Sequence, residues 1–137
     1  MSDADAVWAE TTDGGLLKQL FGSYPTLHDA LVVSIEMDRA SDTAQITVDY
    51  EDVSDEDDTQ LLSARIRLEW QGVEALEIPL GYDDMFGLSF RRSGDKIRTD
   101  IEMWPGIFGY VISDTVEAVL IQLDPGDPAG PPVLRYR

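Results

Sequence analysis

The sequence predicts an α+β, mainly β fold: an antiparallel twisted sheet or two-layer β arrangement of about eight short strands, with one N-terminal helix. Three observations predict it. Between residues 31 and 123 apolar side chains recur with a period of two, as in strands with one buried face. Turn-forming residues interrupt these runs too closely for the helical crossovers that parallel strands need. Near the start, one stretch carries apolar residues at helical spacing instead.

Residues 1–12 mix small, polar and acidic types and are expected to fray. Asp13 is placed to cap a helix over 15–22, in which Leu16, Leu17, Leu20 and Phe21 form one apolar stripe. Gly22 ends it, and Tyr24-Pro25 forces an extended exit. Leu31, Val33, Ile35 and Met37 then alternate with Val32, Ser34, Glu36 and Asp38. After a turn at Ser41-Asp42, Ile46, Val48 and Tyr50 alternate with Gln45, Thr47 and Asp49, so the two strands read as a hairpin. The third strand places Ala64, Ile66, Leu68 and Trp70 on one face and Arg65, Arg67 and Glu69 on the other. Gln71-Gly72 leads to a strand with Leu76, Ile78 and Leu80, which Pro79 assigns to a sheet edge. Strands with Phe86, Leu88 and Phe90, and with Ile97, Thr99, Ile101 and Met103, flank the tight turn Ser93-Gly94. Pro105-Gly106 stops the second of these, and 108–113 and 116–123 give two more. The β-rich domain is expected to span 1–123. Residues 124–137 form a Pro/Gly-rich tail, in which Asp124–Pro132 cannot join a sheet.

Composition bounds the function. A chain of 137 residues buries one core, not two. The absence of cysteine excludes disulfide staples, thiolate metal sites and a cysteine nucleophile. No apolar run is long enough to span a bilayer, and the acidic start lacks the apolar core of a signal peptide, so a cytoplasmic location is expected. Acids number 27 against 10 bases, a formal net charge of −17. Ordinary contact with phosphate backbones or anionic membranes needs a basic face, so neither nucleic acid nor membrane is an expected partner. The surplus is lopsided: residues 1–60 hold 15 acids and 2 bases, and residues 61–137 hold 12 and 8. Such clustering favours a cationic partner. Host salt or base composition is the competing origin, since only Lys18 and Lys96 of the bases are lysine and asparagine is absent.

No phosphate-binding glycine loop, nucleophile elbow or H-E-x-x-H motif is present, and the lone histidine cannot build a His-rich metal centre. No catalytic residue, metal or cofactor is therefore assigned. Asp49, Glu51, Asp52, Asp55, Glu56, Asp57 and Asp58 place seven carboxylates within ten positions. They lack the glycine and glutamate spacing of a calcium loop. Charge alone steers association without fixing specificity, which needs aromatic or arginine anchors beside it. Tyr50, Tyr82 and Phe86 are candidates for that role. His28 and Asp29, before the first strand, are assigned a structural part: Asp29 to accept backbone N–H groups at a turn and His28 to tie the turn to a neighbour.

Three stretches carry a family likeness. They are Phe21-Gly22-x-x-Pro25-x-Leu27-His28-Asp29-Ala30 running into Val33-x-x-Ile35-x-x-Asp38-Arg39; Ile66-Arg67-Leu68-Glu69-Trp70-Gln71-Gly72-Val73-x-x-Leu76; and Ile97-x-x-x-Ile101-x-x-x-Pro105-Gly106-x-x-Gly109. In order and spacing the chain resembles the immunity protein 50 family of bacterial polymorphic toxin systems over residues 21–123. Where family members often carry a glutamate after His-Asp-Ala, this chain has Leu31. The resemblance implies a non-enzymatic binder that neutralises a toxin by occluding its active site, with a basic protein, a cognate toxin domain, as partner. In that reading Asp52, Asp55, Glu56, Asp57 and Asp58 steer the encounter, and Tyr50, Tyr82, Asp83, Asp84 and Phe86 anchor it. An acidic housekeeping or scaffold domain is the alternative, ahead of a carboxylate- or metal-dependent enzyme and of a nucleic-acid mimic. The sequence does not set the oligomeric state.

Overall fold

The computed structural model describes residues 2–52, 62–79, 84–126 and 131–136. Among them are two helices, α1 (Asp3–Glu10) and α2 (Gly14–Phe21), and nine strands: β1 (Ala30–Asp38), β2 (Thr43–Asp52), β3 (Leu62–Gln71), β4 (Ala75–Glu77), β5 (Asp84–Ser93), β6 (Lys96–Met103), β7 (Ile107–Ser113), β8 (Thr115–Leu123) and β9 (Val133–Tyr136). The main path runs β4-β7-β6-β5-β1-β2-β3-β8 with antiparallel neighbours, and β9 adds to β1 in parallel. β5 meets β1 only through Ala30 and Leu31. At that narrow joint the ladder folds back, so β3 faces β7 and β6 faces β8. The expected mainly β, antiparallel architecture is thus present, in two layers.

The period-two pattern positions the core directly. Ala44, Ile46, Val48 and Tyr50 of β2, Ala64, Ile66, Leu68 and Trp70 of β3, and Ile97, Thr99, Ile101 and Met103 of β6 are buried. Thr99 is a polar member of this set. Its Oγ1 accepts a hydrogen bond from Trp70 Nε1 at 2.9 Å, which satisfies both groups across the layers. In β1 the expected phase breaks. Leu31 is exposed and Val32 buried, while Ile35 three positions on is buried as well. A bulge between Val32 and Ser34 swaps the faces, because one extra residue reverses the alternation.

The N-terminus was expected to fray, but residues 3–10 form α1. Ser2 Oγ accepts the Asp5 N–H at 3.1 Å, and Asp3 and Asp5 lie at the positive end of the helix dipole. Burial of Val7 and Trp8 holds it down: Trp8 meets Phe90 edge to face at 5.1 Å and stacks on Tyr24 at 6.1 Å. The described residues therefore form two helices where one was expected. Asp13 does precede α2, yet its carboxylate makes no helix cap. It serves the β8 edge instead: Asp13 N–H donates to Ala118 O at 2.9 Å, and Oδ2 accepts the Leu120 N–H at 2.7 Å. A free sheet edge is thereby covered. Gly14 is required where the helices meet, since a Cβ there would lie 1.9 Å from Trp8 O. At the other end, the tail assigned to 124–137 is not wholly outside the sheet, because Val133–Tyr136 pairs with Ser34–Met37. The prolines that bar pairing stop at Pro132.

Candidate protein-binding surface

Within each layer antiparallel order brings alternate strand ends together, and the joint of Ala30 and Leu31 with Met85 and Asp84 unites the ends of the two layers. One end of the sheet gathers the starts of β1, β3, β5 and β7 and the finishes of β2, β4, β6 and β8. The strand ends that bracket the acidic stretch, Asp52 and Leu62, belong to it. So does the β6–β7 turn, Trp104-Pro105-Gly106, where the Trp104 N–H donates to Asp84 O at 3.1 Å. Asp84 in turn pairs with Leu31, and Leu31 with Asp49, so the turn, β5, β1 and β2 form one continuous rim.

This rim carries apolar side chains in water. Trp104 is 61% and Phe108 70% exposed, and Ile107 and Leu31 are exposed beside them. Behind Phe108 an open hollow of about 540 Å³ is lined by Glu77, Arg98, Asp100, Gly109 and Tyr110. Gly109 supplies its floor because a side chain there would collide with β4: a Cβ would lie 2.3 Å from Glu77 O and 2.6 Å from Pro79 Cδ. The Arg98 guanidinium sits 4.7 Å from the centre of the Tyr110 ring and pairs with Asp100 at 2.9 Å. Arg91 pairs with the same carboxylate at 3.4 Å.

The pattern of ion pairs decides where negative charge is left uncompensated. Arg65 grips Asp49 with two hydrogen bonds, of 2.8 and 3.0 Å, and these raise the guanidinium pKa further. Arg67 lies 3.3 Å from Glu69, Arg92 pairs with Glu10, and Lys96 pairs with Asp114. The Asp114 hydrogen bond raises the Lys96 pKa above the usual lysine range. Basic residues are thus occupied on the two sheet faces. Around the aromatic turn, Glu77, Asp84 and Glu102 have no basic side chain within ion-pair distance among the described residues. Glu102 pairs across β6–β7 with Phe108 itself.

The expected site residues are placed unequally. Tyr50 was expected to anchor a partner at the surface, but it is 8% exposed and packs edge to face on Phe21 at 5.2 Å. Its inward phase on β2 puts it in the core. Asp84 lies on the rim beside Trp104. Asp52 closes β2 and Phe86 belongs to β5. Asp55, Glu56, Asp57, Asp58, Tyr82 and Asp83 lie outside the described residues. His28 and Asp29 sit in an exposed turn closed by the Ala30 N–H on Leu27 O at 3.2 Å. Leu27 and Asp29 both have positive φ. This is turn geometry, not strand, so the adjacent side chains approach: His28 Nε2 lies 3.5 Å from Asp29 Oδ2. The buried member of the segment is Leu27. Trp104, Phe108, Glu77 and Glu102 were not anticipated. A tryptophan at a Pro-Gly turn, outside any apolar alternation, was the available signal.

Among the described residues no three His, Asp or Glu side chains converge to hold a metal ion, and no helix is long and apolar enough to cross a membrane. No protein-family model, curated protein or solved structure matches the chain.

Proposed function

We propose that the protein is a non-enzymatic acidic binder that docks a basic protein through the aromatic rim. The observation that carries this reading is the exposure of Trp104 and Phe108 beside Glu77, Asp84 and Glu102, carboxylates without basic partners among the described residues. Exposed aromatics supply specific energy when a partner buries them, typically 2 kcal/mol or more for each hot-spot side chain, about 30-fold in affinity. The carboxylates supply the encounter. One charge pair 7 Å apart in water is worth ~0.6 kcal/mol, so steering needs several, and the formal net charge of −17 offers them. A partner with lysines or arginines around an apolar pocket matches both terms.

Together with the resemblance to the immunity protein 50 family, this supports an immunity protein acting in the cytoplasm on a cognate toxin domain. Basic clefts suit enzymes that act on polyanions, and an acidic protein seated over such a cleft occludes it. The direct test co-expresses a basic toxin domain, the proposed partner, with the wild-type protein or with a Trp104→Ala/Phe108→Ala variant. Wild type is expected to rescue growth and the double variant to fail at equal expression. Full rescue by the double variant would remove the rim from the mechanism.

A further inference from the structure

We propose that the edge of β1 from Ser34 to Met37 is a second binding site, for an extended basic segment of a partner protein, and that β9 occupies it as an internal stand-in. The site lies at the opposite end of β1 from the aromatic rim and does not depend on the rim's function.

The edge exists because β5 leaves it. β5 pairs with β1 only at Ala30 and Leu31, and bulges follow in both strands. Beyond them the edge of Ser34–Met37 that faces away from β2 is met by β9 alone among the described residues. β9 is a loosely held occupant. All four of its residues are exposed, including Val133 at 49% and Tyr136 at 64%, and none belongs to the buried core. The sequence joining it to β8, Asp124–Pro132, has four prolines and two glycines. A short strand with so little burial opens at small free-energy cost.

The chemistry of the site is legible in what β9 puts there. Successive residues point to opposite faces. Arg135 reaches an open hollow of about 370 Å³ lined by Glu36, Asp38, Gln45 and Glu69, with Nη1 3.4 Å from Glu36 Oε1. A single guanidinium therefore faces three carboxylates, of which, among the described residues, only Glu69 has another basic side chain within ion-pair distance, Arg67. Tyr136 borders a second hollow, of about 480 Å³, with Met37, Val73 and Leu76 along its apolar side. The occupant is thus read as a basic residue followed by an aromatic one. Backbone pairing gives affinity, and the two hollows give selectivity, as in strand addition to a sheet edge.

The test uses the full chain and a fluorescein-labelled peptide of its own segment Pro131–Arg137. In Arg135→Glu the stand-in is repelled by Glu36. This variant is expected to bind the peptide saturably and at least tenfold more tightly than wild type. Adding Glu36→Arg restores the charge match between edge and stand-in and should return binding to the wild-type level, whereas Glu36→Arg alone, which repels the wild-type stand-in, should bind the same peptide carrying Arg135→Glu. Hydrogen exchange should show Val133–Tyr136 deprotected in Arg135→Glu while Ile46 and Leu68 keep wild-type protection, which verifies the fold. Equal binding by wild type and variant, equal binding of a scrambled peptide of the same charge, or no saturable binding overturns the proposal. So does a concentration-dependent dimer of Arg135→Glu without peptide binding, which would make a second copy the occupant. Trp104 and Phe108 are intact throughout, so the outcome does not bear on the rim.

Discussion

Three cases show how local chemistry fixes this protein. Thr99 and Trp70 are both fully buried and satisfy each other across the layers. Thr99→Val keeps the shape but strands the indole N–H, which should cost about 1–3 kcal/mol in urea unfolding. Combining it with Trp70→Phe should cost less than the two single changes summed, since the pair shares one bond. Asp13 is the second case. Its carboxylate holds the Leu120 N–H, so Asp13→Ala, which keeps the backbone bond to Ala118 O, should destabilise by about 1–2 kcal/mol and expose the Leu120 amide to exchange. The third is Lys96, whose pKa is raised first by the hydrogen bond to Asp114; desolvation, the next largest effect, opposes it, and the Asp114, Glu74 and Asp95 charges each add a smaller rise. A raised pKa means that the folded state holds the proton more tightly. The pair's stabilisation is complete below the ordinary lysine range and is lost as pH rises through the folded value. The Tm gap between wild type and Lys96→Met should therefore close at strongly alkaline pH; a gap independent of pH would contradict the pairing.

Elements obey the same logic one level up. Gly109 on β7 leaves room for the β4–Pro79 segment, so Gly109→Ala should displace β4 and cost about 1–3 kcal/mol by overpacking, read as a fall in Tm. Such a contact is invisible in sequence, where Gly109 is one residue in an alternating run. What was legible was whatever depends on periodicity: the inward faces of β2, β3 and β6, the Ser93-Gly94 turn, and the edge position of the short strand before Pro79. What was not legible depends on partners distant in sequence. α1 is held by Phe90 and Tyr24, the bulge in β1 by the demands of two neighbouring strands, and β9 by an edge that exists only after β5 departs. The candidate site divided in the same way. Acidity was countable from the sequence. Tyr50 looked available as an anchor because its burial depends on Phe21, from a helix 29 positions earlier. Trp104 and Phe108 were given no role, because their exposure is set by the turn that holds them in solvent.

For the whole molecule, the arrangement of charge matters more than its sum. Arg65, Arg67, Arg91, Arg92, Lys96, Arg98 and Arg135 are each committed to carboxylates of the same chain. Among the described residues Glu77, Asp84 and Glu102 on the rim have no such partner, and they flank the exposed Trp104 and Phe108. Association should therefore be fast at low salt and slow steeply as salt is added, while dissociation stays nearly constant, because screening acts on encounter more than on anchors. Neutralising Glu77, Asp84 and Glu102 together to Gln, Asn and Gln should lower the on-rate about tenfold or more at low salt and flatten its salt dependence in stopped-flow measurements. The most direct measurement is calorimetric titration of the purified protein with the basic toxin domain proposed as its partner, run with wild type and with Trp104→Ala/Phe108→Ala. The account predicts tight one-to-one binding by wild type and at least 100-fold weaker binding by a double variant of unchanged Tm. Undiminished affinity in the double variant, or no binding by wild type, would contradict it.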